Sequence, residues 1–163
     1  MLFGVKLKFG YLIIMLLSLA SFTSCEDDIQ KSIDERKALD EQEIQAYMTA
    51  NNITNAQRQA SGLYYVPQTP GTGNKIQKGN SVSMHYITRD IYGNKYESTY
   101  DTGQPRLVSK VGLGEVIKGW DEGLQLMSAN EKATLIIPSH LGYNTGYSTD
   151  IIRVMAIEVL EVK

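Results

Sequence analysis

Few side chains here could carry covalent, metal or acid–base chemistry. Two histidines, His85 and His140, and one cysteine, Cys25, stand among 163 residues. Neither histidine has a second ligand at metal spacing, and one cysteine makes neither an intramolecular disulfide framework nor a Cys-rich zinc site. No Ser/His/Asp set lies in a nucleophile-elbow context. Gly112-Leu113-Gly114 opens like a dinucleotide loop, but the sixth position of that pattern is Ile117 and no βαβ unit follows. His85, inside an alternating run, reads as a hydrogen-bonded structural residue, and His140 as a surface loop residue. A formal charge of −2 with 21% charged residues excludes a basic nucleic-acid binder and an acidic disordered chain. The aromatics are unevenly placed: Phe3, Phe9 and Phe22 lie with Cys25 in the first 25 residues, and beyond them stand nine Tyr and the single Trp120.

The cysteine has a context of its own. Lys6 and Lys8 precede an uncharged run from Phe9 to Cys25 rich in Leu and Ile, the order of a secretory signal. At 17 residues the run is short for a spanning helix. Phe22-Thr23-Ser24-Cys25, followed by Glu26-Asp27-Asp28, resembles a bacterial lipobox. That resemblance implies a signal peptide over 1–24 and a Cys25 that is diacylated and anchors the mature chain, since two or more acyl chains hold where one is marginal. A plain secretory signal with an incidental thiol, or an uncleaved anchor, is the alternative. Loss of 1–24 removes two lysines and leaves a formal −4, so lipid rather than charge would hold the chain at a membrane. The expected location is the bacterial cell envelope, outside the inner membrane, on its periplasmic or surface face.

Residues 25–60 read as a polar tether with one short helix. Asp40 and Glu43 are spaced as a capping box, Ile44, Tyr47 and Met48 form an apolar stripe, and Asn51-Asn52 and Asn55 are stop signals. The segment is either a spacer or a stripe that docks on the domain or a partner helix.

From residue 61 the texture is that of strands. Leu63 to Val66 is a β-former run closed by Pro67. Ser81 to Ile87 alternates, with Val82, Met84 and Tyr86 on one face; a further strand lies around Tyr96. Lys132 to Ile137 ends at Pro138, and Arg153 to Val162 sets Met155, Ile157 and Val159 opposite Val154, Ala156 and Glu158. Only Val116 to Met127 has helical spacing, through Ile117, Trp120, Leu124 and Met127. The expected class is α+β, a five- to six-stranded antiparallel sheet wrapped on one short helix.

Gly114-Glu115-Val116-Ile117-Lys118-Gly119-Trp120-Asp121-Glu122-Gly123-Leu124, then Glu131 to Pro138, closely resembles the FKBP-type peptidyl-prolyl cis-trans isomerases. Upstream, His85-Tyr86 and Tyr96-Glu97-Ser98-Thr99 resemble that family's His-Tyr and Phe-Asp-Ser-Ser elements. Downstream, Pro138-Ser139-His140-Leu141-Gly142-Tyr143 is similar to its Pro-Ser-x-Leu-Ala-Tyr segment. The resemblance spans Gly62 to Lys163 and implies a cup with Trp120 as floor and Tyr86, Tyr96, Val116, Ile117 and Met155 as walls. It implies Ile117 N–H and Tyr143 O–H as donors to substrate carbonyls, and Glu97 as the carboxylate near the mouth. Trp120, Tyr86, Tyr96 and Met155 also read as ordinary core or strand residues. Departures from the family pattern are Glu97 for Asp, Tyr96, Leu107 and Met155 for Phe, and Asn130, Asn144 and Thr88 for Gly. The loop between Tyr143 and Met155 is shorter and lacks an Ile-Pro-Pro segment, with Ile151 and Ile152 in its place.

The implied chemistry suits a chain without a triad. Twisting an X–Pro amide breaks resonance against a barrier of about 18–20 kcal/mol and requires no nucleophile, metal or acid–base pair. An apolar cup disfavours the zwitterionic planar amide more than the twisted one, and lowering the barrier by about 5 kcal/mol gives a few thousand-fold. The resemblance therefore implies an isomerase assisting the folding of exported proteins, with proline-containing polypeptides as substrates and no cofactor, metal or nucleic acid. The alternative is a non-catalytic peptide- or protein-binding module of the same fold.

Overall fold

Side-chain alternation along the strands decides which layers exist. A computed structural model describes residues 28, 30–143 and 151–163. The described residues divide into two units, with the boundary between Ala38 and Leu39. In the first, the described residues are helical and mostly exposed, with Lys31–Glu35 and Lys37–Asp34 ion pairs along the surface.

The second unit holds a seven-stranded antiparallel sheet in the order β1-β2-β6-β7-β3-β4, with β5 also paired to β3. The strands are β1 (Gln57–Arg58), β2 (Tyr64–Thr69), β3 (Val82–Asp90), β4 (Lys95–Ser98), β5 (Arg106–Val108), β6 (Lys132–Ile137) and β7 (Arg153–Val162). The antiparallel α+β expectation holds. The count rises to seven because β1 and β5, two and three residues long, are too short to show a period.

Two helical pieces flank the sheet: α1, denoting residues 39–50, and α2, Lys118–Leu124. Leu63, Tyr65, Met84, Tyr86, Leu135, Ile137, Met155 and Ile157 join Trp120 and Leu124 of α2 in the main core. Their neighbours Tyr64, Val66, Ile136 and Ile152 pack instead with Ile44 and Met48 of α1. Period-two alternation thus places the helices on opposite faces. Gly119 and Gly123 bring α2 close to β6: a Cβ at either would stand 2.4 Å from Ile137 or 2.2 Å from Leu135.

Of the two readings of the Ile44 stripe, docking on the domain is what occurs. The helix ends where the asparagines predict: Asn52 has φ 55°, Ile53 N–H donates to Met48 O at 2.9 Å and Asn52 N–H to Thr49 O at 3.2 Å, a Schellman closure. The capping-box expectation fails, because residues 30–50 are helical and Asp40 lies inside that stretch. Asp40 is 1% exposed, and its carboxylate accepts hydrogen bonds from Ser139 N–H (2.8 Å) and Ser139 Oγ–H (2.6 Å). Asn130, at a position of the expected turn, does take a positive φ of 64°. Cys25, Asn144 and most of the loop before Ile151 lie outside the described residues. Among the described residues no helix is long and apolar enough to cross a membrane.

Candidate functional site

Four segments from distant parts of the sequence meet at one end of the main core. Tyr86 comes from β3 and Tyr96 and Glu97 from β4; Thr88 pairs with Glu97 on one side and Met155 of β7 on the other. The β3–β4 turn is fixed by the Asp90 carboxylate, which accepts from Tyr92 N–H, Asn94 N–H and Asn94 Nδ2–H at 2.8–2.9 Å. Val116 and Ile117 enter α2 from a loop held by two other carboxylates. Glu115 accepts from Ser109 N–H (2.9 Å) and Lys110 N–H (3.0 Å), and Asp121 from Gly112 N–H (2.8 Å) and Gly114 N–H (2.7 Å). Tyr143 follows the 3-10 turn Ser139–Leu141, whose first residue is the one Asp40 holds.

These segments enclose two adjoining cavities of about 250 Å³ and about 410 Å³. Glu97, Ile117, Trp120 and Tyr143 line both. Tyr96 and Met155 complete one, with Thr88 and Arg153; Tyr86 and Val116 complete the other, with Arg106, Glu115 and Gly142. The structure therefore gathers all eight residues singled out from the sequence around one recess. Trp120 is buried and meets Tyr86 edge-on at a centroid distance of 4.8 Å, so each ring fixes the other. Met155 is buried behind them, whereas Tyr96 and Tyr143 are 50% and 48% exposed and form the lip.

The donors at the recess are few. Ile117 N–H has no acceptor among the described residues; its carbonyl accepts from Trp120 N–H and Asp121 N–H at 3.0 Å, opening α2. The buried Trp120 Nε1 likewise has none. Burial, and then the nearby Glu97 carboxylate, hold the Tyr86 phenol well above its ordinary pKa. Tyr86 therefore stays a neutral phenol in the wall of the recess. No group of three or more His, Cys, Asp or Glu suited to a metal occurs among the described residues.

Some expectations need correcting. Leu107 is 57% exposed and lines neither cavity; its neighbour Arg106 does. His140 is half-buried rather than a surface residue, its Nε2 3.0 Å from Ser61 O. His85 behaves as expected, with Nδ1 2.9 Å from Thr99 Oγ1 and its ring stacked on Tyr100. Sequence reasoning missed Arg153 and Arg106 and had Thr88 only as a substitute for Gly, although period two places Thr88 in line with Tyr86, and Arg153 in line with Met155. Arg153 Cζ stands 4.2 Å from the Tyr96 ring centroid and 5.5 Å from that of Tyr143.

A family model for FKBP-type peptidyl-prolyl cis-trans isomerases matches residues 72–161. The FK506-binding protein of Neisseria meningitidis serogroup B is 35% identical over 102 residues, 63% of this chain and 93% of that protein. The FK506-binding protein 2 of Gibberella zeae is 51% identical over 70 residues, 42% of this chain. The chain spans only 35% of that relative and 45% of the Rhizopus delemar FK506-binding protein 2B. The crystal structure of a peptidyl-prolyl cis-trans isomerase from Pseudomonas syringae aligns with TM-score 0.60 at 28% identity, covering 73% of this chain and 90% of that one. FkpA of Escherichia coli shares the fold at TM-score 0.66 and 24% identity, over 91% of this chain and 71% of that one. With the family model matching more than half its length, this chain belongs to the FKBP-type peptidyl-prolyl cis-trans isomerases.

Proposed function

We propose that this chain is a peptidyl-prolyl cis-trans isomerase, anchored by lipid at Cys25 in a bacterial envelope, that acts on proline-containing segments of exported proteins. The observation that carries the catalytic part is the recess itself: a buried Trp120 shared by two cavities, set against Tyr86, Ile117 and Met155.

A proline ring seated on Trp120 leaves water, and its amide then lies where a planar, charge-separated form is poorly solvated. The twisted amide has less charge separation and loses less, so the barrier falls without any covalent step. Ile117 N–H, without an acceptor among the described residues, holds a substrate carbonyl, and the Tyr143 hydroxyl at the lip takes a second. The edge-on contact of Tyr86 with Trp120 fixes that wall, so that little needs to reorganise as the amide turns.

Exchange NMR on an X-Pro peptide tests this directly. The wild-type chain should accelerate cis–trans exchange, and Trp120→Leu, which keeps an apolar side chain in the core, should lower kcat/KM by at least about tenfold. Peptide binding with exchange at the uncatalysed rate would overturn the isomerase and leave a binding module. For the anchor, acyl labelling in cells should be lost in Cys25→Ser; labelling that persists refutes attachment at that residue. The lipobox-like Phe22 to Cys25 run supports the envelope location.

A further inference from the structure

Charged side chains of both signs line the recess, Glu97 and Glu115 with Arg106 and Arg153. Glu97 stands beside the Tyr86 phenol, while the other carboxylates close by are engaged: Asp90, opposite Arg153 in the β3–β7 register, by Tyr92 and Asn94 donors, and Glu115 by two backbone N–H groups. The two guanidiniums are not. Among the described residues neither Arg153 nor Arg106 has a carboxylate within ion-pair distance. This occurs in a chain whose formal charge is −2, where carboxylates outnumber cations.

Arg153 is the better placed of the two. It precedes Met155 by two residues on β7, on the same face, roughly 7 Å along the strand. The Tyr96 and Tyr143 rings hold it from their faces, 4.2 and 5.5 Å from Cζ. Such contacts orient a guanidinium yet leave its planar fork of N–H donors free for an acceptor, and a carboxylate matches that fork. A proline resting on Trp120 and Met155 places the adjoining residue's side chain beside this fork.

We propose that Arg153 makes the site selective for proline segments that carry a carboxylate side chain in a residue flanking the proline. This deepens the isomerase reading and rests on the same recess. Arg106, exposed at the other cavity alongside Glu97 and Glu115, has no ring to orient it among the described residues.

The test is a peptide series identical except for Glu, Gln, Leu or Lys beside the proline, on either side, titrated by NMR into the full chain at low and high salt. Glu should bind about fivefold tighter than Gln, the range of a partly exposed ion pair, with Lys weakest. The preference should shrink at high salt, fall to near unity in Arg153→Gln and survive in Arg153→Lys. Equal Glu and Gln affinities in the wild type, or an undiminished ratio in Arg153→Gln, would overturn the proposal. Should Arg153→Gln fail to fold, the wild-type salt dependence and Arg153→Lys still decide. Cis–trans exchange read in the same samples is a separate result: loss of acceleration for every peptide removes the isomerase reading, while the binding ratios still decide charge selection.

Discussion

The two faces of the sheet are covered by helices of different character. On one, α2 packs so closely that Leu135 and Ile137 occupy the space where side chains at Gly123 and Gly119 would begin. The core beneath it is apolar and ends at the recess. On the other, α1 covers a smaller apolar patch, and polar contacts at its margins fasten it. Asp40 holds Ser139, and Glu41 accepts both the Tyr64 hydroxyl and, at 3.1 Å, Arg58 Nε–H. The first face gains stability from dense packing and spends some of it on an open cavity. The second takes its orientation from directional bonds, because a patch around Ile44, Met48 and Ile136 is too small to specify a helix register by packing alone.

That contrast can be broken from either side. The largest effect is expected from Leu135→Ala, which empties the space beneath α2 and should cost about 2–5 kcal/mol in denaturant unfolding. Asp40→Ala comes next. It leaves the Ser139 N–H and hydroxyl without their carboxylate and should cost about 1–3 kcal/mol by the same measurement. Because that turn delivers Tyr143, Asp40→Ala should also raise KM for a proline peptide, a change that Leu39→Ala on the exposed side of α1 should not reproduce. Tyr143→Phe should leave stability alone, since the side chain is half exposed, and reduce kcat/KM about two- to tenfold through one lost donor.

The smallest effect concerns a surface group. Glu158 accepts from the Tyr100 hydroxyl at 2.8 Å and pairs with Lys132 at 3.1 Å, and these bonds hold its carboxyl below the usual range. The folded chain then binds that proton less tightly than the unfolded one. The contribution is full above the ordinary carboxylate pKa and disappears as pH falls through the depressed folded value. The Tm difference between wild type and Glu158→Gln should accordingly narrow on acidification, and a constant difference would exclude the linkage.

Much of the fold was legible in individual runs. Val82, Met84 and Tyr86 announced one strand face, and Met155, Ile157 and Val159 another, because side chains of a strand alternate whatever surrounds it. The second covered face was also written locally, in Leu135-Ile136-Ile137 and Leu63-Tyr64-Tyr65-Val66, which do not alternate. An uninterrupted apolar run signals burial on both sides, but nothing in it names the covering element. Asp40 shows the reverse case: its spacing to Glu43 matched a cap, yet a carboxylate inside the helix found Ser139 nearly a hundred residues later in the chain.

The recess divides in the same way. Residue type and order around Trp120, Ile117 and Tyr143 determined the family, because closely spaced motif residues are local properties of a chain. Tertiary structure decided which charges meet there. Arg153 and Thr88 became part of the lining because β3 and β7 pair in a register that sets Thr88 opposite Met155, and Leu107 lost its expected place to Arg106. A register shift of one residue would reverse every one of those assignments. Composition along a single strand cannot specify that register, since it depends on the partner strand and on the loops that bring the two together.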